Sequence, residues 1–173
     1  MLQFAEWLQS TPLSLLIQTE GWIIPILQTI HIVMIGIVFV SVLMIALRML
    51  GRVRMDQPFV DVLDRFSPWL WAALTVNLIT GLLLTIGEPA RQFYSLSYWV
   101  KMALILIGVA SILAFRRSLG PRAALASGDP AFSTSARIGA VAVVVIWLAI
   151  IFLGRAIAYD IEVWGGLSLA TRA

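Results

Sequence analysis

Apolar positions along this chain neither alternate with polar ones, as on a half-buried strand, nor recur every third or fourth residue, as on a surface helix; they run on. From Trp22 to Leu47 the run is broken only by Pro25, Gln28, Thr29, His31, Gly36 and Ser41. At ~1.5 Å per residue, residues 22–47 cross a hydrocarbon core of roughly 30 Å with length to spare. A second run, residues 68–87, is opened by Ser67 as N-cap and Pro68 as the first helical residue, and stopped by Gly87-Glu88-Pro89. The third covers residues 98–115 and the fourth 137–154, with no charge between Gly139 and Leu153. Backbone groups in hydrocarbon must be satisfied within the segment, so runs this long without alternation are helices. The pattern therefore predicts an all-α polytopic membrane protein: a four-transmembrane-helix bundle in which residues 1–173 form one integral membrane domain. Ahead of it, Leu2, Phe4, Trp7 and Leu8, then Thr11-Pro12 with Leu13, Leu15, Leu16 and Ile17, predict one or two short N-terminal interfacial helices. The N-terminus has no positive n-region, so it is not read as a signal peptide.

Composition agrees. The chain is 61% hydrophobic and 12% charged, with mean hydropathy +0.97, against about 25% charged in soluble domains. A pI near 10 would suit nucleic acid, but the basic residues flank apolar runs and form no stripe, so no nucleic-acid partner is expected and the lipid bilayer is the surrounding medium. Arg48, Arg52, Arg54 and Arg65 fall in one connection and Arg116, Arg117, Arg122 and Arg137 in the other alternate one, eight of the twelve basic residues. The opposite side holds Arg91, Lys101, Arg155 and Arg172. The positive-inside rule puts the arginine-rich connections in the cytoplasm and both termini outside. Arg48-Met49-Leu50-Gly51 and Arg117-Ser118-Leu119-Gly120 read as basic, glycine-terminated helix ends.

With no cysteine, disulfides, thiolate metal sites and cysteine nucleophiles are excluded. The chain has no serine-nucleophile elbow, HExxH or phosphate-cradling loop, so no catalytic residue is assigned and nothing marks it as an enzyme. The interiors of the four predicted spans hold no Asp or Glu, which argues against a proton-coupled carrier. What remains is His31, the only histidine, roughly 13 Å below Trp22. Gln28 precedes it by three residues and shares its helix face. Ala73, Asn77, Gly81 and Thr85 form a stripe of small or hydrogen-bonding residues, suited to helix packing within the bundle or between copies, with Asn77 also a candidate ligand contact. Lys101, Arg155, Tyr159 and Glu88 are expected near His31 in the outer half; the competing reading has Lys101 and Arg155 snorkelling to the interface while Glu88 and Asp160 pair with them. Trp147, within the fourth run, is expected to face a neighbouring helix or lipid.

Three chemistries suit His31: axial ligation of haem b, its one possible metal role, with Met102 or a second copy of the chain supplying the other ligand; a quinone or similar apolar molecule hydrogen-bonded by His31 and Gln28; or a core histidine bonded to a neighbouring helix.

Leu27-Gln28-Thr29-Ile30-His31 with Gly36, Leu47-Arg48-Met49-Leu50-Gly51, Thr80-Gly81-Leu82-Leu83, Phe93-Tyr94, Lys101-Met102-Ala103-Leu104 and Gly154-Arg155-Ala156-Ile157-Ala158-Tyr159 together resemble a family of uncharacterised four-helix bacterial inner-membrane proteins. More distantly, a first-helix histidine followed by glycine resembles CopD-like and cytochrome b561-like membrane proteins, which usually carry further histidines. The closer resemblance implies a multi-pass protein of the bacterial inner membrane, termini in the periplasm, and draws attention to His31, Lys101, Arg155 and Tyr159. The function expected is binding of a small apolar ligand or redox cofactor, haem b or quinone, by His31, Gln28, Asn77, Lys101, Arg155 and Tyr159. The alternatives are a non-catalytic structural or assembly subunit of a membrane complex, and a homo-oligomeric channel-like protein lined by Asn77, Thr80 or Thr85. Reporter fusions at either end of the chain are expected to score as periplasmic; a cytoplasmic signal from either end overturns the orientation.

Overall fold

A computed structural model describes residues 2–119 and 132–169; Gly120, Arg122 and Arg172 lie outside them. Every regular element described is helical. Two short helices, α1 (Leu2–Gln9) and α2 (Pro12–Thr19), precede α3 (Ile23–Met49) and α4 (Phe59–Gly87); a short α5 (Pro89–Phe93) leads into α6 (Leu96–Ser118), followed by α7 (Thr134–Ala156), a 3₁₀ turn (Ile157–Tyr159), α8 (Asp160–Trp164) and a final 3₁₀ turn (Gly165–Leu167). The four helices α3, α4, α6 and α7 are long and apolar enough to cross a membrane, as the apolar runs predict.

Their outward faces carry large apolar side chains, among them Ile32, Leu106 and Phe152 at 66%, 70% and 65% exposure. In water such a girdle is unstable; in hydrocarbon it costs nothing. Inside, Val38 and Val42 of α3, Leu70 and Ala73 of α4, and Trp147 and Ile150 of α7 form the core. Trp147 is 1% exposed, so the aromatic within the fourth span faces its neighbours. The helices pair off: α4 packs chiefly on α3 and α6 chiefly on α7, with α7 also against α3. α4 and α6 are not close neighbours.

The second long helix departs from expectation, beginning at Phe59 with Pro58 as its cap and carrying Pro68 in its interior. Phe59, Val62, Leu63 and Phe66 recur at i, i+3, i+4 and i+7, an apolar stripe that extends the helix beyond the hydrophobic run. Phe59 and Val62 are fully buried, and the Phe59 ring meets Phe132 edge-on at 4.8 Å and Phe115 at 6.3 Å. That packing outweighs the single backbone bond Pro68 forgoes. Arg65 accordingly sits on the helix and not in a loop.

At the end of α3 the glycine cap is formed. Gly51 adopts φ +69°, its N–H donates to the Arg48 carbonyl (3.1 Å) and the Arg52 N–H to the Leu47 carbonyl (2.9 Å), a Schellman pair. Arg48 is buried and turns back to donate twice to the Gln57 carbonyl, at 3.2 and 2.7 Å, tethering the connection to α4.

At the opposite end two seals hold the short helices to the bundle. The Ser14 hydroxyl donates to the Ile86 carbonyl in the last turn of α4 (2.6 Å) and accepts from Gln18 (2.7 Å). Ile17 lies over Gly87, where an added Cβ would come within 2.6 Å of its Cγ2. Asp160, 7% exposed, accepts from the Ser95 hydroxyl (2.7 Å), the Leu96 and Ser97 amides (3.2 and 2.9 Å), the Ser97 hydroxyl (2.8 Å) and the Ser168 hydroxyl (2.6 Å). The carboxylate thus caps the N-terminus of α6 from the far side of α7, where the exposed amides and the helix dipole favour an anion. Replacing Asp160 by Ala strands these donors and is expected to cost about 2–3 kcal/mol; thermal unfolding in detergent measures it, and an unchanged midpoint refutes the clamp.

Candidate functional site

His31 is the ninth residue of α3, about 12 Å along it from Ile23. Its side chain reaches across to α4, where Nδ1 lies 2.8 Å from Thr80 Oγ1. The ring packs over Gly81, where an added Cβ would be in van der Waals contact with His31 Cε1 at 3.4 Å. With the Asn77 amide turned to satisfy both its ends, Nδ2 donates to the His31 carbonyl (3.0 Å) and to Nδ1 (3.2 Å), while Oδ1 accepts from the Ile35 amide (3.1 Å). Asn77, Thr80 and Gly81 thus form a polar latch between α3 and α4. Of the stripe from Ala73 to Thr85, Asn77 and Gly81 are used within this chain, while Thr85 bonds the Gly81 carbonyl of its own helix.

Nδ1 has two rival partners. The Asn77 amide would donate to it, whereas the Thr80 hydroxyl, which donates to the Val76 carbonyl (2.9 Å), would accept from an Nδ1–H, so the contacts allow the proton on either ring nitrogen. Nε2 has no hydrogen-bond partner among the described residues.

Lys101 is the sixth residue of α6. The end of its side chain lies against Gly154 of α7, where an added Cβ would be 3.5 Å from Nζ. It is partly buried and makes no hydrogen bond or ion pair among the described residues.

The other expected members are elsewhere. Gln28 is exposed on α3 and takes no part in the latch. Arg155 is exposed and is satisfied by Tyr159, whose hydroxyl lies 3.2 Å from it and whose ring centroid 5.2 Å. Glu88 pairs with Arg91 at 2.9 Å, and Asp160 with the serines of the clamp, so neither carboxylate neutralises Lys101 or Arg155. A sequence spacing places residues at one depth but leaves open which way each turns. Gly81 was expected in a packing stripe and Thr80 along a pore, but neither was expected as a partner of His31, and Gly154 was not expected beside Lys101, because small residues carry no chemical signal of their own.

A separate cavity of ≈ 260 Å³ lies toward the arginine-rich end, between all four long helices. His31 does not line it. No group of three or more His, Cys, Asp or Glu among the described residues is placed to hold a metal ion.

Among curated proteins and solved structures, no similar chain is found. The stretch from residue 4 to residue 160, which holds the whole latch, Lys101, Gly154 and the clamping carboxylate, matches a family of unknown function (DUF6644), and the chain belongs to that family.

Proposed function

We propose that this membrane protein binds a small, largely apolar molecule with hydrogen-bond-accepting oxygens, of the quinone class, between His31 and Lys101, serving a membrane redox chain as an accessory without catalysing a reaction itself. The observation that carries this reading is a pair of polar groups within two spans, His31 on α3 and Lys101 on α6: neither Nε2 nor the ammonium has a hydrogen-bond partner among the described residues. In hydrocarbon a polar group without a partner is costly. A quinone carbonyl accepts from the ammonium, and its carbonyl or quinol hydroxyl pairs with Nε2 in either tautomer.

Haem is the second reading. Axial ligation needs the Nε2 lone pair, which an Nδ1–H donating to Thr80 Oγ1 leaves free and an Asn77 N–H donating to Nδ1 does not. The Lys101 ammonium favours a ligand with oxygen acceptors instead. A channel has less support, because Asn77 and Thr80 face α3 within the chain.

Protein purified in mild detergent is expected to carry about one quinone per chain in its organic extract. Lys101→Met and His31→Ala each remove a hydrogen-bonding group worth about 1.5 kcal/mol or more, so retention should fall at least tenfold while the chain stays folded. A wild-type extract without quinone, or equal retention in both variants, overturns the reading; a Soret band lost in His31→Ala transfers the site to haem. The latch has its own test. A double-mutant cycle on His31→Ala and Thr80→Val is expected to give a coupling of about 0.6–1.7 kcal/mol in thermal stability, and a coupling of zero dissolves it.

A further inference from the structure

The ≈ 260 Å³ cavity at the arginine-rich end is separate from His31 and is bounded by all four long helices. Val42 and Ala46 of α3, Leu70 of α4, Ile112 of α6, and Ala140 and Val143 of α7 are among the apolar residues of its wall. Ser67, Ser111 and Arg116 are the polar residues that line it. A polar solute gains nothing from such a wall, whereas a hydrocarbon chain loses nothing by entering it. The space is only partly enclosed.

The Arg116 guanidinium lies 5.8 Å from the centre of the Trp71 ring, bridging α6 to α4. The side chain is exposed and has no carboxylate partner among the described residues. Beneath it, Trp71 Nε1 is buried with no acceptor. Arg117 is adjacent in sequence, and Arg52, Arg54 and Arg65 belong to the connection and first turns of α4 at the same end. Arginine near a membrane surface selects anionic headgroups, and phosphate suits its fork of donors.

We infer that this cavity takes one acyl chain of an anionic phospholipid from the leaflet at the arginine-rich end, with the lipid phosphate on Arg116. The apolar wall recognises the chain and the unpaired guanidinium recognises the charge. A neutral lipid satisfies the first alone. The site fills the space left where the α3–α4 pair meets the α6–α7 pair, and so makes the inter-pair contact depend on a bound lipid.

The test is native mass spectrometry of the full chain in detergent, titrated with phosphatidylglycerol or phosphatidylethanolamine bearing the same acyl chains. One phosphatidylglycerol is expected to persist per chain, bound about fivefold more tightly than phosphatidylethanolamine, the preference that one basic residue near an anionic surface confers. Arg116→Gln should erase the preference. Gly139 also lines the cavity, and a Cβ there meets nothing within 4 Å. Gly139→Leu should therefore fill the space and displace either lipid, leaving quinone content unchanged. Equal binding of the two lipids by wild type marks ordinary boundary lipid and overturns the inference, as does undiminished retention in a folded Gly139→Leu. Should that variant not fold, the wild-type thermal midpoint decides: a rise with phosphatidylglycerol beyond that with phosphatidylethanolamine supports the site, and equal rises overturn it.

Discussion

Inside hydrocarbon a polar group has no water to turn to, and the fold follows from how each such group finds a partner. Most hydroxyls in the spans solve the problem within one helix: Thr29 donates to the Pro25 carbonyl, Ser41 to Ile37, Thr75 to Trp71, Thr85 to Gly81 and Ser111 to Ile107, each one turn back at 2.7–2.9 Å. His31 cannot do this, since its ring is too large to fold back on its own turn. It reaches α4 instead and packs over Gly81. The same need that satisfies the imidazole joins α3 to α4, the pair with the most extensive packing in the bundle.

The two ends of the bundle solve different problems. At the arginine-rich end helices terminate in turns closed by their own backbone, with Gly51 in the left-handed region and Arg48 folded onto the Gln57 carbonyl. At the other end the closures span distant parts of the chain: Ser14 reaches α4, and Asp160 reaches the start of α6. The Trp164 indole completes the second closure by donating to the Ser97 hydroxyl (2.8 Å). These long-range closures tie the short helices and chain ends to the ends of α4 and α6.

The four spans and the two leading helices were legible in sequence because hydrocarbon imposes one requirement on every residue of a span, and a run of apolar residues records it directly. The start of α4 was not legible in the same way. Ser67-Pro68 carries a strong local start signal, but Phe59 and Val62 are held by packing against Phe115 and Phe132, which are far away in the chain. The site divides along the same line. That His31 turns inward follows from the cost of burying an imidazole in lipid. That Arg155 turns away does not, because its partner Tyr159 lies one turn ahead on the same face and satisfies it locally. Asp160, too, was read as a counter-ion, whereas Ser95 and Ser97 at a helix start are its partners.

Lys101 is where these considerations meet. A lysine about 8 Å inside a span has a stem long enough to carry its charge to the interface, and snorkelling is the default. Here the end of the side chain lies against Gly154 of α7. The acidic residues expected to serve it are committed elsewhere, Glu88 to Arg91 and Asp160 to three serines. In the proposed function the acceptor comes from outside the chain, as an oxygen-bearing molecule that already dissolves in the bilayer and reaches the ammonium without crossing water.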